Sequence, residues 1–338
     1  MIKKEANVPT LRSIAQEVGL TVNTVSLALR NSPLVAADTK LRIQSVAQRI
    51  GYIPNALAGS LRSGRSLTAA IVMGDIANPL FAAKIKMLEA AFRERGYHVM
   101  IFNTGEDPTA ELEAVQTAIG RMVDGLVLCP CAKPEKSLSL MKKTGTPYVL
   151  SGRTVKGEDE ATVLWDDSQG GYLAAKHLID CGCRRIAWLG VTQRISSARD
   201  RKRGYLRALK EAELPTDPQL VVETSPIGGS VCMIVDQFHR QGIDGICTFS
   251  DLLAWETVQC LHQSGLRVPD DIQLTGFDNV SDWLHIPFPL TSVGADLEKE
   301  AETTVDMLLE RINDRNTPAM VRQMDTWLVV RSSTRGGA

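Results

Sequence analysis

From residue 67 onward the chain alternates short apolar runs with amphipathic stretches, and few folds accommodate that rhythm. The runs are Thr68–Met73, His98–Asn103, Gly125–Cys129, Tyr148–Ser151, Thr162–Trp165, Arg185–Leu189, Leu220–Glu223, Gly245–Phe249 and Gln273–Phe277. Each has the length and β-branched content of a buried strand. Stretches of roughly 12–17 residues with helical spacing lie between most of them. Repeated strand–helix–strand units build parallel sheets covered on both faces. So many strands exceed the usual size of one such sheet, so two α/β lobes are expected. Ligands of open parallel sheets bind beyond the C-terminal strand ends. With two lobes facing one another, that place is the cleft between them.

The first 65 residues break the rhythm. They hold nine Lys/Arg against three Asp/Glu, a net of +6, while the remaining 29 against 36 give −7 and the whole −1. A basic head on an acidic body points to a head that meets a polyanion. Leu11, Ile14, Ala15 and Val18 have helical spacing, Thr10 can cap the start, and Gly19 suits a left-handed stop. Thr21 can cap a second helix, Val22 to Arg30, on which Val25 and Leu29 face back toward the first. Two short helices joined by a tight turn make a helix-turn-helix. On the second helix Val22, Asn23 and Leu27 fall at about 0°, 100° and 140°, near its N-terminus, where a recognition helix meets base edges. Asn23 can pair bidentately with adenine, and Val22 and Leu27 can touch thymine methyls. Thr21, Thr24, Ser26 and Asn31 offer short polar groups to phosphates. A third helix is expected over about Asp38–Ile50, with Leu41, Ile43, Val46, Ala47 and Ile50 as its apolar set.

The run Thr10–Ser66 resembles the DNA-binding head and hinge of the lactose/galactose-repressor family of bacterial regulators. The matching pieces are Ile14-Ala15, Gly19, Thr24-Val25-Ser26, Asn31, Gly51-Tyr52, Pro54-Asn55-Ala56, Ala58 and Ser60-Leu61. The resemblance implies a hinge helix over Asn55–Arg62 that orders on operator DNA. It places Asn55, Ala58, Leu61 and Arg62 at the DNA, with Leu61 as a minor-groove wedge. A short segment with Gly59 inside it is marginal as an isolated helix, and apolar wedges recur among minor-groove binders.

The body resembles that family's effector domain, which is similar to periplasmic sugar-binding proteins. The resemblance rests on Asn78-Pro79-Leu80-Phe81, Arg95-Gly96-Tyr97, Val123-Asp124-Gly125, Gly204-Tyr205, Ser250-Asp251 and Gly276-Phe277-Asp278-Asn279. It implies a head over residues 1–65 and a body over 66–338. One lobe would take about 66–165 and 293–323, the other about 166–292 and 324–338, with crossings near Trp165, Val293 and Gln323. It also carries over effector contacts: Asn78, Phe81, Trp165, Ser197, Arg199, Arg201, Ser250 and Asp278. Asp278 can accept sugar hydroxyls or bond its own turn backbone. Arg201 can fork onto paired oxygens, whereas Arg199 fits a contact or the surface. Phe81 fits ring stacking or lobe core, and Trp165 and Trp283 fit a cleft edge or strand packing.

Catalytic and metal signatures are missing from the sequence. It has no GxxxxGK, HExxH or GxSxG motif, and its five histidines are dispersed. Cys129-Pro-Cys131 and Cys181-Gly-Cys183 lack zinc-finger spacing, and seven cysteines argue against a disulfide framework. No 18-residue apolar run and no leader-like N-terminus are present. The expectation is a cytoplasmic, non-enzymatic regulator without metal or cofactor. It would bind a pseudo-palindromic operator as a homodimer and answer to a small sugar-like effector. The alternative is control of the body by a protein co-regulator.

Overall fold

The computed structural model describes residues 9–53, 64–157, 159–225, 230–284 and 288–336. It divides into two units, Met1–Ser66 and Leu67–Ala338.

In the first unit α1 (Leu11–Val18) opens with a capping box: the Thr10 hydroxyl accepts from the Ser13 N–H, and Ser13 returns the bond. Gly19 ends the helix at φ 69, a conformation that costs glycine little. Thr21 caps α2 (Val22–Leu29), and α3 spans Ala37–Arg49. Ile14, Ala15, Val18, Val25, Ala28, Val35, Ile43 and Ala47 form the core. Two expectations change here. Ala28 rather than Leu29 joins Val25 as the fully buried pair, because i and i+3 face the other helices more squarely. Leu41 is 65% exposed, since the inward face of α3 is set by Ile43 and Ala47, with Val46 and Ile50 half-buried beside them.

The second unit holds two six-stranded sheets. Its elements are β1 (Thr68–Met73), α4 (Pro79–Glu94), β2 (His98–Asn103), α5 (Pro108–Gly120), β3 (Gly125–Leu128), α6 (Glu135–Thr144), β4 (Tyr148–Ser151) and β5 (Thr162–Trp165). Then come α7 (Asp167–Asp180), β6 (Ile186–Val191), α8 (Ser196–Glu211), β7 (Val221–Thr224), α9 (Val231–Arg240), β8 (Gly245–Thr248), α10 (Asp251–Gln263) and β9 (Gln273–Phe277). The last are β10 (Thr291–Ala295), α11 (Leu297–Asn313), β11 (Val321–Met324) and β12 (Thr326–Val329).

The first sheet has the order β11-β5-β4-β3-β1-β2 and is parallel throughout; the second runs β12-β10-β9-β8-β6-β7, with only β12 antiparallel. The chain changes lobe at three single aspartates. Asp166 joins β5 to α7, Asp296 joins β10 to α11, and Asp325 joins β11 to β12. Two crossings therefore lie beyond their expected places. Val293 sits inside β10 of the second sheet and Gln323 inside β11 of the first. Asp166 and Asp296 also cap the helices they lead into, accepting from Gln169 and Lys299 N–H groups. Cys232 and Cys260 close a disulfide between α9 and α10. Counting cysteines gave no sign of this local pairing, which needs only two adjacent helices.

α7 and α8 meet backbone to backbone. A Cβ on Gly204 would lie 2.0 Å from the Ser168 carbonyl oxygen, and one on Gly171 would lie 2.1 Å from the Arg201 carbonyl oxygen. No rotamer change relieves a clash with main chain. Gly204→Ala is therefore expected to destabilise the body by about 1–3 kcal/mol or more and to lower its thermal midpoint by several degrees. Gly120→Ala, where a Cβ meets open space, should leave it unchanged. Equal midpoints for both variants in a calorimetric scan would refute the close crossing.

Candidate functional site

The head presents the start of α2. Thr21, Val22, Asn23 and Asn31 are exposed, and Thr24 and Ser26 are half-buried. Val22 keeps 40% of its surface free. The Thr21 hydroxyl accepts from the Thr24 N–H, and the two hydroxyls bond one another at 2.9 Å. One hydroxyl proton of the pair is thus engaged, leaving one for an outside acceptor. Leu27 is half-buried against the head core rather than standing clear beside Asn23. Asn31 adopts the left-handed conformation, and its carbonyl accepts from Lys40. The hinge residues Asn55, Ala58, Leu61 and Arg62 lie outside the described residues.

In the body the C-terminal strand ends of the two sheets carry a buried polar cluster. Arg201, on α8, donates through Nε to Asp167 Oδ1 at 2.8 Å and through Nη1 to Asp278 Oδ1 at 3.1 Å and the Phe249 carbonyl at 2.7 Å. Its guanidinium lies 3.6 Å from the Phe277 ring centre. Phe277 stacks on Trp165 with centroids 6.1 Å apart. Lys84 Nζ stands 4.9 Å from the centre of the Trp165 ring. Lys84 donates to Glu300 Oε1 and Trp165 Nε1 to Glu300 Oε2, both at 2.7 Å. Trp165 ends β5 of the first lobe and Phe277 ends β9 of the second. A column of cation, ring, ring and cation thus joins the lobes, with carboxylates beside each cation.

Local sequence explains the placement. Asp278 sits at φ 107, which side-chain-bearing residues rarely adopt. It is held there by its N–H to the Val293 carbonyl at 2.8 Å and by its carboxylate to Arg201. Burial pushes the Asp278 carboxyl up to about 6, with Arg201 opposing. Asp251, fully buried, is pushed up to about 8 by burial and by the negative Asp278, although it accepts from Ser292 Oγ and the Val280 N–H. Asp167 is raised by burial against the pull of Arg201.

The other expected effector residues are placed differently. Asn78 caps α4 through its side-chain oxygen. Phe81 is buried core, with the Arg153 guanidinium 5.8 Å from its ring centre. Ser197 is buried, and its neighbour Ser196 makes the contact between lobes, its Oγ accepting from the Thr154 N–H at 2.9 Å. Ser250 caps α10. Arg199 is exposed and pairs with Asp200. Trp283 is 39% exposed and does not join the column. Sequence reading missed Lys84, Asp167, Glu300 and the Arg153–Glu106 fork at 2.7 and 2.8 Å. A signal existed for Lys84, which falls four residues from both Leu80 and Leu88 on the buried stripe of α4. Among the described residues no group of three or more His, Cys, Asp or Glu is placed to hold a metal ion. No described helix is long and apolar enough to cross a membrane.

Known proteins resemble this chain in sequence and fold. Residues 10–55 match the profile of bacterial regulatory proteins of the lacI family, and residues 175–334 match a periplasmic binding protein-like domain. The HTH-type transcriptional repressor PurR of Aliivibrio fischeri (strain MJ11) is 28% identical over 329 residues, which covers 96% of this chain and 98% of that protein. The HTH-type transcriptional regulator GalR of Escherichia coli (strain K12) is 28% identical over 326 residues, covering 96% and 95%. Among solved structures, a transcriptional regulator CelR–cellobiose complex is 26% identical, with TM-score 0.72 and coverage of 96% and 99%. The lac repressor dimer bound to operator and anti-inducer ONPF has TM-score 0.85 at 23% identity, with coverage of 96% and 99%, and shares the fold.

The raised carboxyls make body stability depend on pH. Asp251 titrates near 8 when folded and near the ordinary 3.9 when unfolded. Between those values the folded chain holds a proton that the unfolded chain releases, so this contribution weakens as pH rises. Asp251→Asn carries no titratable proton. The midpoint of the native body relative to this variant is expected to fall between pH 6 and pH 8. Parallel melting curves for the two proteins across that range would contradict the assignment.

Proposed function

We propose, for a chain that belongs to the lacI family of bacterial regulatory proteins, that it is a ligand-responsive transcriptional repressor. It binds a pseudo-palindromic operator as a homodimer through α2 and senses a small sugar-like effector in the cleft between the lobes. The observation that carries the effector site is the meeting, at the C-terminal strand ends of both sheets, of Arg201, paired with Asp167 and Asp278 and set against Phe277, with Trp165 and Lys84 of the other lobe through the Phe277–Trp165 stack. Paired carboxylates and a guanidinium bind hydroxyls with directional bonds, and flat rings pack against the apolar faces of a sugar. The related CelR structure carries a disaccharide.

On the DNA side, Asn23 supplies adenine readout, with Val22 touching a thymine methyl. Thr21, Thr24, Ser26 and Asn31 position the helix on phosphates. Asn55, Ala58, Leu61 and Arg62 complete the DNA contacts by resemblance to the family. Leu27, packed on the core, supports the helix more than it reads. β2 is the outer strand of its sheet, and its Ile101 is 48% exposed between the half-buried Met100 and Phe102. An open apolar edge of this kind is ordinarily covered, which fits a second copy related by two-fold symmetry.

Effector and operator are linked by exchange. A ligand entering the cleft takes over bonds that Arg201 now makes to Asp167 and Asp278 and that Glu300 accepts from Lys84 and Trp165. The lobes then reset about their aspartate crossings, and the first lobe carries that change to the start of β1, where the chain enters the body.

Two substitutions separate the two sites. Asn23→Ala should weaken operator binding by about 1–3 kcal/mol and relax preference at one base pair per half-site, read by selection from a random duplex library. Asp278→Ala should keep the selected motif and lose the response to the cognate sugar, found by calorimetry against a panel that includes cellobiose. An unchanged motif in the first variant, or unchanged sugar affinity in the second, would overturn the corresponding assignment.

A further inference from the structure

A cavity of about 300 Å³ opens in the first lobe at the opposite end of the sheet from the cleft. Pro147 and Tyr148 line it where β4 begins, and Asp159 and Glu160 line it just before β5. The strands of that sheet are parallel, so their starting ends all lie away from the inter-lobe site. The rest of the wall comes from the C-terminal ends of two helices, Lys142 on α6 and Arg311 and Arg315 on or just beyond α11.

The wall has two chemical halves. In one, Glu160 is buried; it accepts from the Tyr148 hydroxyl at 2.6 Å and has Lys142 Nζ 2.7 Å from its other oxygen. In the other, Arg311 donates through Nη1 to the Thr317 carbonyl at 3.1 Å. Its buried Nε meets no acceptor among the described residues. Arg315 lies over Gly145, whose missing side chain leaves it room: a Cβ there would stand 3.3 Å from Arg315 Nη1.

We infer that this cavity is a second small-molecule site, distinct from the effector cleft, and that it takes a phosphorylated sugar. Two guanidinium groups suit a phosphate dianion, since each presents a planar fork of donors to paired oxygens. The Glu160 carboxylate accepts from sugar hydroxyls across the cavity. The volume is about ten water molecules' share of liquid and lies at the small end of ligand pockets, which fits a monosaccharide ester. α11 connects the two sites. Glu300 in its first turn faces the cleft and Arg311 in its last lines the cavity, about 16 Å apart along the axis.

The test is calorimetric titration of the full chain with ribose 5-phosphate, inorganic phosphate and ribose in parallel. Ribose 5-phosphate should bind at least tenfold more tightly than inorganic phosphate, and ribose should not compete with it. Arg315→Gln, a change at an exposed position that leaves the fold intact, should weaken ribose 5-phosphate at least tenfold. Glu160→Gln should weaken it while leaving inorganic phosphate unaffected, and Asp278→Ala should change neither. Failure of ribose 5-phosphate to bind, or unchanged binding in Arg315→Gln, overturns the site. Equal affinity for inorganic phosphate overturns the sugar ester as its ligand. Loss of binding in Asp278→Ala, with its melting curve showing the chain still folded at the titration temperature, would place the ligand in the cleft and overturn the second site.

Discussion

The column Lys84–Trp165–Phe277–Arg201 is the interaction on which the body depends. It buries two cations with three carboxylates, Glu300, Asp167 and Asp278. Buried charges persist only when paired, and removing one partner of such a pair typically costs about 3–5 kcal/mol. Other features of the body serve this geometry. The glycines of α7 and α8 let Arg201 approach Asp167. The crossing at Asp166 places Trp165 and Asp167 on either side of it. The buried stripe of α4 delivers Lys84. A ring face against a desolvated cation is worth about 2 kcal/mol, so the column also resists separation of the lobes. The junction of the lobes is therefore a set of satisfied charges, and under the proposed function a ligand would act there by substitution of partners rather than by filling empty space.

Much of this was legible in the sequence, for identifiable reasons. The nine strands expected from apolar runs all form: the inner ones are apolar along their length because both faces are covered, while the edge strands β2 and β7 are only partly buried. β10, β11 and β12 escaped that reading. Thr291, Ser292 and Gly294 make β10 small and polar, and β11 has Val321, Arg322 and Gln323 exposed at a sheet edge. The crossings at Val293 and Gln323 were misplaced for the same reason. In the head, caps and glycine stops were readable because they are local chemistry. The inward faces of α2 and α3 depended on how three helices meet, which spacing within one helix does not specify.

The site followed the same division. Arg201 and Asp278 were named from the family resemblance, and the structure brings them together as a buried ion pair. Their partner Asp167 was not, since it reads as an ordinary first-turn acid on α7, and Glu300 reads likewise on α11. The serine that touches the other lobe is Ser196, one position from the expected Ser197. A helix rotates about 100° per residue, so that single step decides which hydroxyl faces Thr154.

The crossings at Asp166, Asp296 and Asp325 have a consequence for synthesis. Neither lobe is a continuous stretch of chain. The first lobe waits for α11 and β11, and the second for β10 and β12, while β11 and β12 are separated by one residue. Domains ordinarily fold one after another as they leave the ribosome. Here both lobes lack an edge strand until residues 321–329 have emerged, so the two sheets are completed together. A chain cut short before residue 321 would leave two open sheet edges at once, each a surface for pairing with other chains.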